Sequence, residues 1–101
     1  MQHTQVVQGD RTTLKVRGEL DALSSRALRP TLDDVVAARP QKLTIDLSDL
    51  RLIDSSGVGA LVWLYKRIRA DGGVVEFVGL CAQPLAIFKL LRLDVVFAID
   101  N

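Results

Sequence analysis

The chain has 101 residues, enough for one domain with its own core and too few for two. Its 13 Lys and Arg against 12 Asp and Glu leave no basic stripe for nucleic acid and no polybasic tract for a membrane surface. A single cysteine, Cys81, excludes an internal disulfide, and no charged start leads into an apolar run, so the expected location is the cytoplasm.

Gln5-Val6-Val7 and Thr12–Arg17 read as two strands. In the second, Leu14 and Val16 alternate with Lys15 and Arg17. Gly9-Asp10 between them is a turn signal, which predicts a hairpin, and Gly18-Glu19-Leu20-Asp21 ends the second strand. A helix is predicted from Ser24 or Ser25, either of which can cap it. Leu28, Leu32, Val35 and Val36 follow at helical spacing, and Pro30 is placed in the first turns. Arg39-Pro40 stops it.

Lys42–Leu47 reads as a central strand, with Leu43, Ile45 and Leu47 apolar. After a short loop, Ile53-Asp54-Ser55-Ser56-Gly57 leads into a helix from about Ser56 to Ala70. Val58, Leu61, Val62, Tyr65 and Ile68 form its apolar face, and Gly72-Gly73 ends it. Val74–Val78 is the next strand, Pro84–Leu91 the last helix, and Val95–Ile99 a terminal strand. Strands alternating with helices after a hairpin predict an α/β domain with a mixed sheet of about five strands and helices packed on it.

Asp54-Ser55-Ser56-Gly57 joins a strand to an amphipathic helix. A helix start offers free backbone N–H groups and a partial positive charge, so it can cap itself with Asp or Ser or receive an anion. Gly57 and Gly59 keep the first turn bare, either for a partner or for close packing within the fold. On the next faces of the same helix, Trp63 shares a side with Ser56, Gly59, Ala60 and Arg67. Tryptophan and arginine are common binding anchors, and the competing reading is a Trp63 folded onto its own domain. Asp21 reads as a helix-entry residue or a surface contact. Cys81 reads as a small packed residue, and Lys66, Arg67 and Arg69 as a solvated basic face.

Enzymatic chemistry finds no support in these motifs. Ser55 and Ser56 lie outside a Gly-x-Ser-x-Gly elbow, and the one histidine, His3, sits in a terminus expected to be mobile. Gly57-Val58-Gly59 lacks the lysine and spacing of a P-loop. One His and one Cys cannot make a typical zinc site, and Asp46, Asp49 and Asp54 read as turn formers. No catalytic residue, metal or cofactor is therefore expected.

Gly18-Glu19-Leu20-Asp21, Leu43–Ser48 and Ile53–Leu61, continuing into Gly72-Gly73, resemble the STAS domain of anti-sigma factor antagonists. The resemblance spans nearly all of residues 1–101, and the central block is its specific part. It implies a partner, an anti-sigma factor with serine/threonine kinase activity, that the unphosphorylated protein occupies. It implies phosphorylation of the serine directly after the aspartate, Ser55, with Ser56 as runner-up, and a serine phosphatase that resets the switch. The implied binding residues are Asp21, Asp54, Ser55, Ser56, Gly57, Gly59, Trp63 and Arg67, with no nucleic acid and no membrane as partner. One departure is that the chain stops soon after its last expected strand, where many members carry a further helix. The alternative is a non-switching STAS interaction module of a transporter or signalling scaffold, which has no need of a hydroxyl at position 55. A nucleotide-binding domain using the helix start ranks below both, because no base-recognition motif accompanies it.

Overall fold

A computed structural model describes residues 1–99 of the chain. Its elements are β1 (Gln2–Gln8), β2 (Arg11–Leu20), α1 (Ala22–Ala37), β3 (Lys42–Asp46), β4 (Leu50–Ile53), α2 (Ser55–Ala70), β5 (Val74–Val78), α3 (Ala82–Leu90) and α4 (Leu93–Val96). Four strands lie in the order β1-β2-β3-β5, and β4 pairs with β2 beside them. Among the described residues, β1 runs antiparallel to β2 and the other pairings are parallel, which gives the expected mixed sheet.

β2 changes partner along its length. Residues 11–15 pair with β3, and Gly18, Glu19 and Leu20 pair with β4 across a register shift between Gly18 and Glu19. One face of the sheet is buried: Leu14, Val16, Leu43, Ile45, Val75 and Phe77 point into a core closed by Leu28, Leu32 and Val35 of α1 and Leu61, Leu64 and Ile68 of α2. The opposite face carries Lys15, Lys42 and Glu76. Lys15 pairs with Asp49 at 3.1 Å and Lys42 with Glu76 at 3.8 Å.

Several boundaries differ from expectation. α1 starts at Ala22, because Asp21 in extended backbone is its N-cap. Ser24, expected to cap, instead completes a capping box from the third helical position. Pro30 therefore lies well inside α1 rather than in its first turns. It cannot bond the Arg26 carbonyl, but both residues are exposed and water can take that role. α2 starts one residue earlier than expected, at Ser55. Leu64 is fully buried on it, whereas Val62 and Tyr65 are half-buried.

α3 runs from Ala82 to Leu90 and so opens two residues before Pro84. β4 was not expected: Leu50–Ile53 is four residues long and has no clean alternation to betray it. The strand expected over Val95–Ile99 is instead the short helix α4 and the turn after it. Arg92 in left-handed backbone turns the chain, and buried Phe97 is held by Phe77 and Tyr65, with ring centroids at 4.7 and 4.5 Å. Aromatic packing, not a sheet register, fixes this segment. His3 also departs from expectation. It is paired in β1, and its Nε2 lies 3.0 Å from the Thr31 hydroxyl. Cys81 is exposed at the N-cap position of α3 rather than packed.

Candidate functional site

The site forms where β2 and β4 end side by side and deliver the starts of α1 and α2. Asp54 is the N-cap of α2. Its backbone N–H donates to Leu20 O at 3.1 Å, which ties it to the end of β2. Its Oδ1 accepts the Gly57 N–H at 3.0 Å, and its carbonyl accepts the Val58 N–H at 2.9 Å. These bonds satisfy part of the helix end, and Ser55 and Ser56 follow as its first two residues, both exposed. Their backbone N–H groups lie at the positive end of a 16-residue helix.

Gly57 is buried, and its role is internal. A Cβ there would meet Leu20 O at 2.5 Å and Ile53 Cγ1 at 2.7 Å, so the glycine lets α2 close onto β2 and β4. Between the two readings of the glycines, close packing is what Gly57 does. Gly59 is exposed, with nothing within 4 Å of a Cβ built on it. It leaves bare backbone facing outward.

Asp21 is exposed one strand away, at the start of α1. Its carboxylate accepts the Ser24 N–H at 3.0 Å, and the Ser24 hydroxyl lies 2.8 Å from the Asp21 N–H. The bonds from the Ser24 backbone and hydroxyl hold its carboxyl below the usual carboxylate range. Asp21 and Asp54 share a shallow cleft of about 250 Å³ with Glu19, Leu20, Leu52, Ile53 and Gln83. Its polar rim is acidic.

Gln83 is a residue that sequence reasoning missed. Its Oε1 accepts the Ile53 N–H at 2.9 Å, and its Nε2 donates to Ile53 O at 3.0 Å. The side chain thus pairs with the last residue of β4 as a neighbouring strand would, just before the serines. Nothing in the sequence marks this, since a glutamine in an N-terminal helical turn is ordinary.

On the other side of the α2 start, Ser56, Gly59, Ala60 and Trp63 face Ser25, Arg26, Arg29 and Leu32 of α1 across a groove of about 370 Å³. Trp63 is half-buried there. The Arg29 guanidinium lies 3.9 Å from its ring centroid and that of Arg67, itself exposed, lies 5.9 Å away. Trp63 thus packs on its own domain and still reaches solvent. The Ser25 hydroxyl under this groove is buried without a hydrogen-bond partner.

Of the three aspartates expected to form turns, Asp46 and Asp49 lie at the turn after β3, whereas Asp54 caps α2. Asp46 Oδ1 accepts from the Ser48 hydroxyl at 2.7 Å and from its N–H at 3.0 Å. Partial burial alone would raise the Asp46 pKa, but those bonds and the Lys15 charge outweigh it and leave it lowered. Among the described residues, no group of three or more His, Cys, Asp or Glu is placed to hold a metal ion, and no helix is long and apolar enough to cross a membrane.

The site is thus an exposed Ser-Ser helix start between an acidic cleft and a basic, aromatic groove. The chain is 29% identical to the anti-sigma F factor antagonist of Paenibacillus polymyxa, over 85% of this chain and 72% of that one. It is 26% identical to the anti-sigma-B factor antagonist of Listeria monocytogenes, over 91% and 81%. Its fold is similar to the crystal structure of an anti-sigma factor antagonist from Mycobacterium paratuberculosis, with a TM-score of 0.85 and 26% identity over 95% of this chain and 81% of that one. A family model described as "Mlab, STAS domain" matches residues 3–98, nearly the whole of the described chain, and the protein belongs to the STAS domain family.

Proposed function

We propose that the protein is an anti-sigma factor antagonist whose partner binding is switched by phosphorylation of Ser55. Unphosphorylated, it docks an anti-sigma factor with serine/threonine kinase activity on the surface formed by Asp21, Asp54, Ser55, Ser56, Gly59, Trp63 and Arg67. Gly57 contributes by letting α2 sit close against β2 and β4. The protein is the kinase's substrate, supplies no catalytic residue or cofactor of its own, and acts in the cytoplasm. The names of its relatives support the partner class.

The observation that carries the switch is Ser55 itself, an exposed hydroxyl on the first residue of α2, directly after its aspartate cap. A phosphate adds up to about two negative charges and three acceptor oxygens. The free N–H groups of the helix start can tolerate an anion, so the fold should survive. A partner packed on the same turn would meet new bulk, and new charge beside Asp54. Binding is then lost without unfolding, and a serine phosphatase restores it.

The test is to incubate the protein with its cognate anti-sigma kinase and ATP and to locate the phosphate by mass spectrometry. Label on Ser55, absent from Ser55→Ala, is the expected result. Label that persists in Ser55→Ala and vanishes in Ser56→Ala moves the site by one residue. With no label on either serine and no effect of Ser55→Asp on any partner, a non-switching interaction module becomes the better reading.

A further inference from the structure

Among the described residues, β1 is the outermost strand of the sheet and pairs on one side, from Gln2↔Arg17 to Gln8↔Arg11. Gly9 and Asp10 form a two-residue turn with Gly9 at φ 64°. The residues flanking such a loop are a hydrogen-bonded pair, so Gln2, Thr4, Val6 and Gln8 direct their backbone groups to β2. The Gly18 N–H, which donates to Asp49 O at 3.0 Å, agrees: even-numbered residues of β2 face away from β1. His3, Gln5 and Val7 therefore point their N–H and C=O groups off the free edge.

Free edges are normally guarded by charges, proline or bulges. Gln2–Gln8 contains no Asp, Glu, Lys or Arg, no proline, and no break in its register with β2. All seven residues are exposed, Val6 at 47% and Val7 at 56%.

The strand is also complementary to itself. An antiparallel copy centred on Gln5 sets Gln2 against Gln8, Thr4 against Val6, His3 against Val7 and Gln5 against Gln5. No like charges meet, and the amides of the two Gln5 side chains can donate to and accept from one another. The His3, Gln5 and Val7 backbone groups would then bond in pairs across the new seam. A net charge of +1 per chain adds little long-range repulsion between copies.

We propose that the open edge of β1 is a homodimer interface in which two copies join their sheets antiparallel, with Gln5 beside the two-fold axis. Such an isologous contact closes at two copies. The edge lies across β2 from β4, the strand that delivers Ser55, so both helix starts of the dimer stay free for partners.

The experiment is sedimentation equilibrium of the full chain across a concentration series, beside variants checked by circular dichroism. The unsubstituted chain should reach the dimer mass. Gln5→Lys places like charges opposite each other, and Gln5→Pro removes an outward N–H that β2 does not use. Both should keep the native spectrum and run as monomers at the same concentrations. In a Cys81→Ser background, Gln5→Cys should form an interchain disulfide on mild oxidation. A hydrogen-bonded antiparallel pair holds its Cα atoms about 5.5 Å apart, within disulfide reach. Val7→Cys, which faces His3 of the other copy, should not. A chain monomeric at every concentration overturns the proposal, as does a dimer that persists in both Gln5→Lys and Gln5→Pro.

Discussion

The Arg29 guanidinium of α1 lies 3.9 Å from the ring centroid of Trp63 on α2, while Arg29 Nε also bonds Asp33 Oδ1 at 3.0 Å. One arginine thus holds the ring against the groove and is itself held by the next turn of its helix. Trp63 is presented in one orientation, which lowers the entropy lost when a partner covers it. Trp63→Ala should weaken binding to the anti-sigma factor by on the order of 1–4 kcal/mol, read by calorimetry. Arg29→Ala should weaken it less, because the ring remains and only its orientation is freed. If Trp63→Ala lowers the melting temperature and leaves the affinity intact, the ring is a packing element and the docking surface lies elsewhere.

The two glycines of α2 should separate stability from binding. Gly57→Ala forces a methyl against Leu20 O and Ile53, an overpacking that should cost about 1–3 kcal/mol in denaturant unfolding. Gly59→Ala meets open space, so its better helix propensity should stabilise the fold by about 0.5–1 kcal/mol. The same methyl lies in the groove beside Trp63 and should reduce partner affinity. A Gly59→Ala protein that is more stable and binds as before would show that no partner backbone or side chain approaches this turn.

The features legible in the sequence were those with period or punctuation. The alternation of β2, the helical spacing of Leu28, Leu32, Val35 and Val36, and the Gly72-Gly73 stop all have local causes. So does the Asp-Ser-Ser-Gly helix start, where cap chemistry and position coincide. What stayed hidden depends on contacts distant in sequence. Leu50–Ile53 is a strand because Leu20 and Glu19 offer it a partner, and Gln83 closes its end from 30 residues away. Val95–Ile99 has strand composition, yet Phe97 is drawn into a cluster with Tyr65, Phe77 and Phe88, and the segment turns helical to reach it. Gly57 and Gly59 allowed the same two readings, and only the fold separates the buried approach of helix to strand at Gly57 from the open surface at Gly59.

Asp21 caps α1, and its carboxyl is held below its ordinary value by the Ser24 backbone and hydroxyl. A carboxyl whose folded pKa is depressed stabilises the fold in full above its unfolded pKa and loses that effect as pH falls toward the folded one. Asp21→Ala should lower stability at neutral pH, as the loss of an N-cap does. The gap between the two proteins should hold down to about pH 5 and shrink below about pH 4, where the unfolded carboxyl binds its proton. Asp21→Asn keeps a capping oxygen but loses the charge, so near pH 7 its stability should lie between those of Asp21→Ala and the unsubstituted protein and should not show the acid-dependent change. A fall in partner affinity in Asp21→Asn larger than its folded fraction explains would then report a direct charge contact. A gap that widens in acid would contradict the assigned role of the cap.

Ser55 carries the strongest expectation, because its two surroundings make opposite demands on one charge. In the free protein, an anion at this position faces the unbonded N–H groups of Ser55 and Ser56, while the Gly57 N–H is already held by Asp54. Attraction to the helix end and repulsion from Asp54 roughly offset, both in water, so Ser55→Asp should change unfolding free energy by less than about 1 kcal/mol. In a complex the same charge is desolvated beside Asp54 and against a partner fitted to a hydroxyl. Removing one charge's water without a counter-ion costs several kcal/mol, enough to lower affinity by a factor of about a hundred or more. Ser55→Ala removes only a hydroxyl and should bind nearly as the unsubstituted protein does. Raised salt should recover part of the Ser55→Asp loss if repulsion dominates, and none of it if bulk does. Equal binding by Ser55→Asp and Ser55→Ala, with both proteins folded, would remove the switch from this helix start.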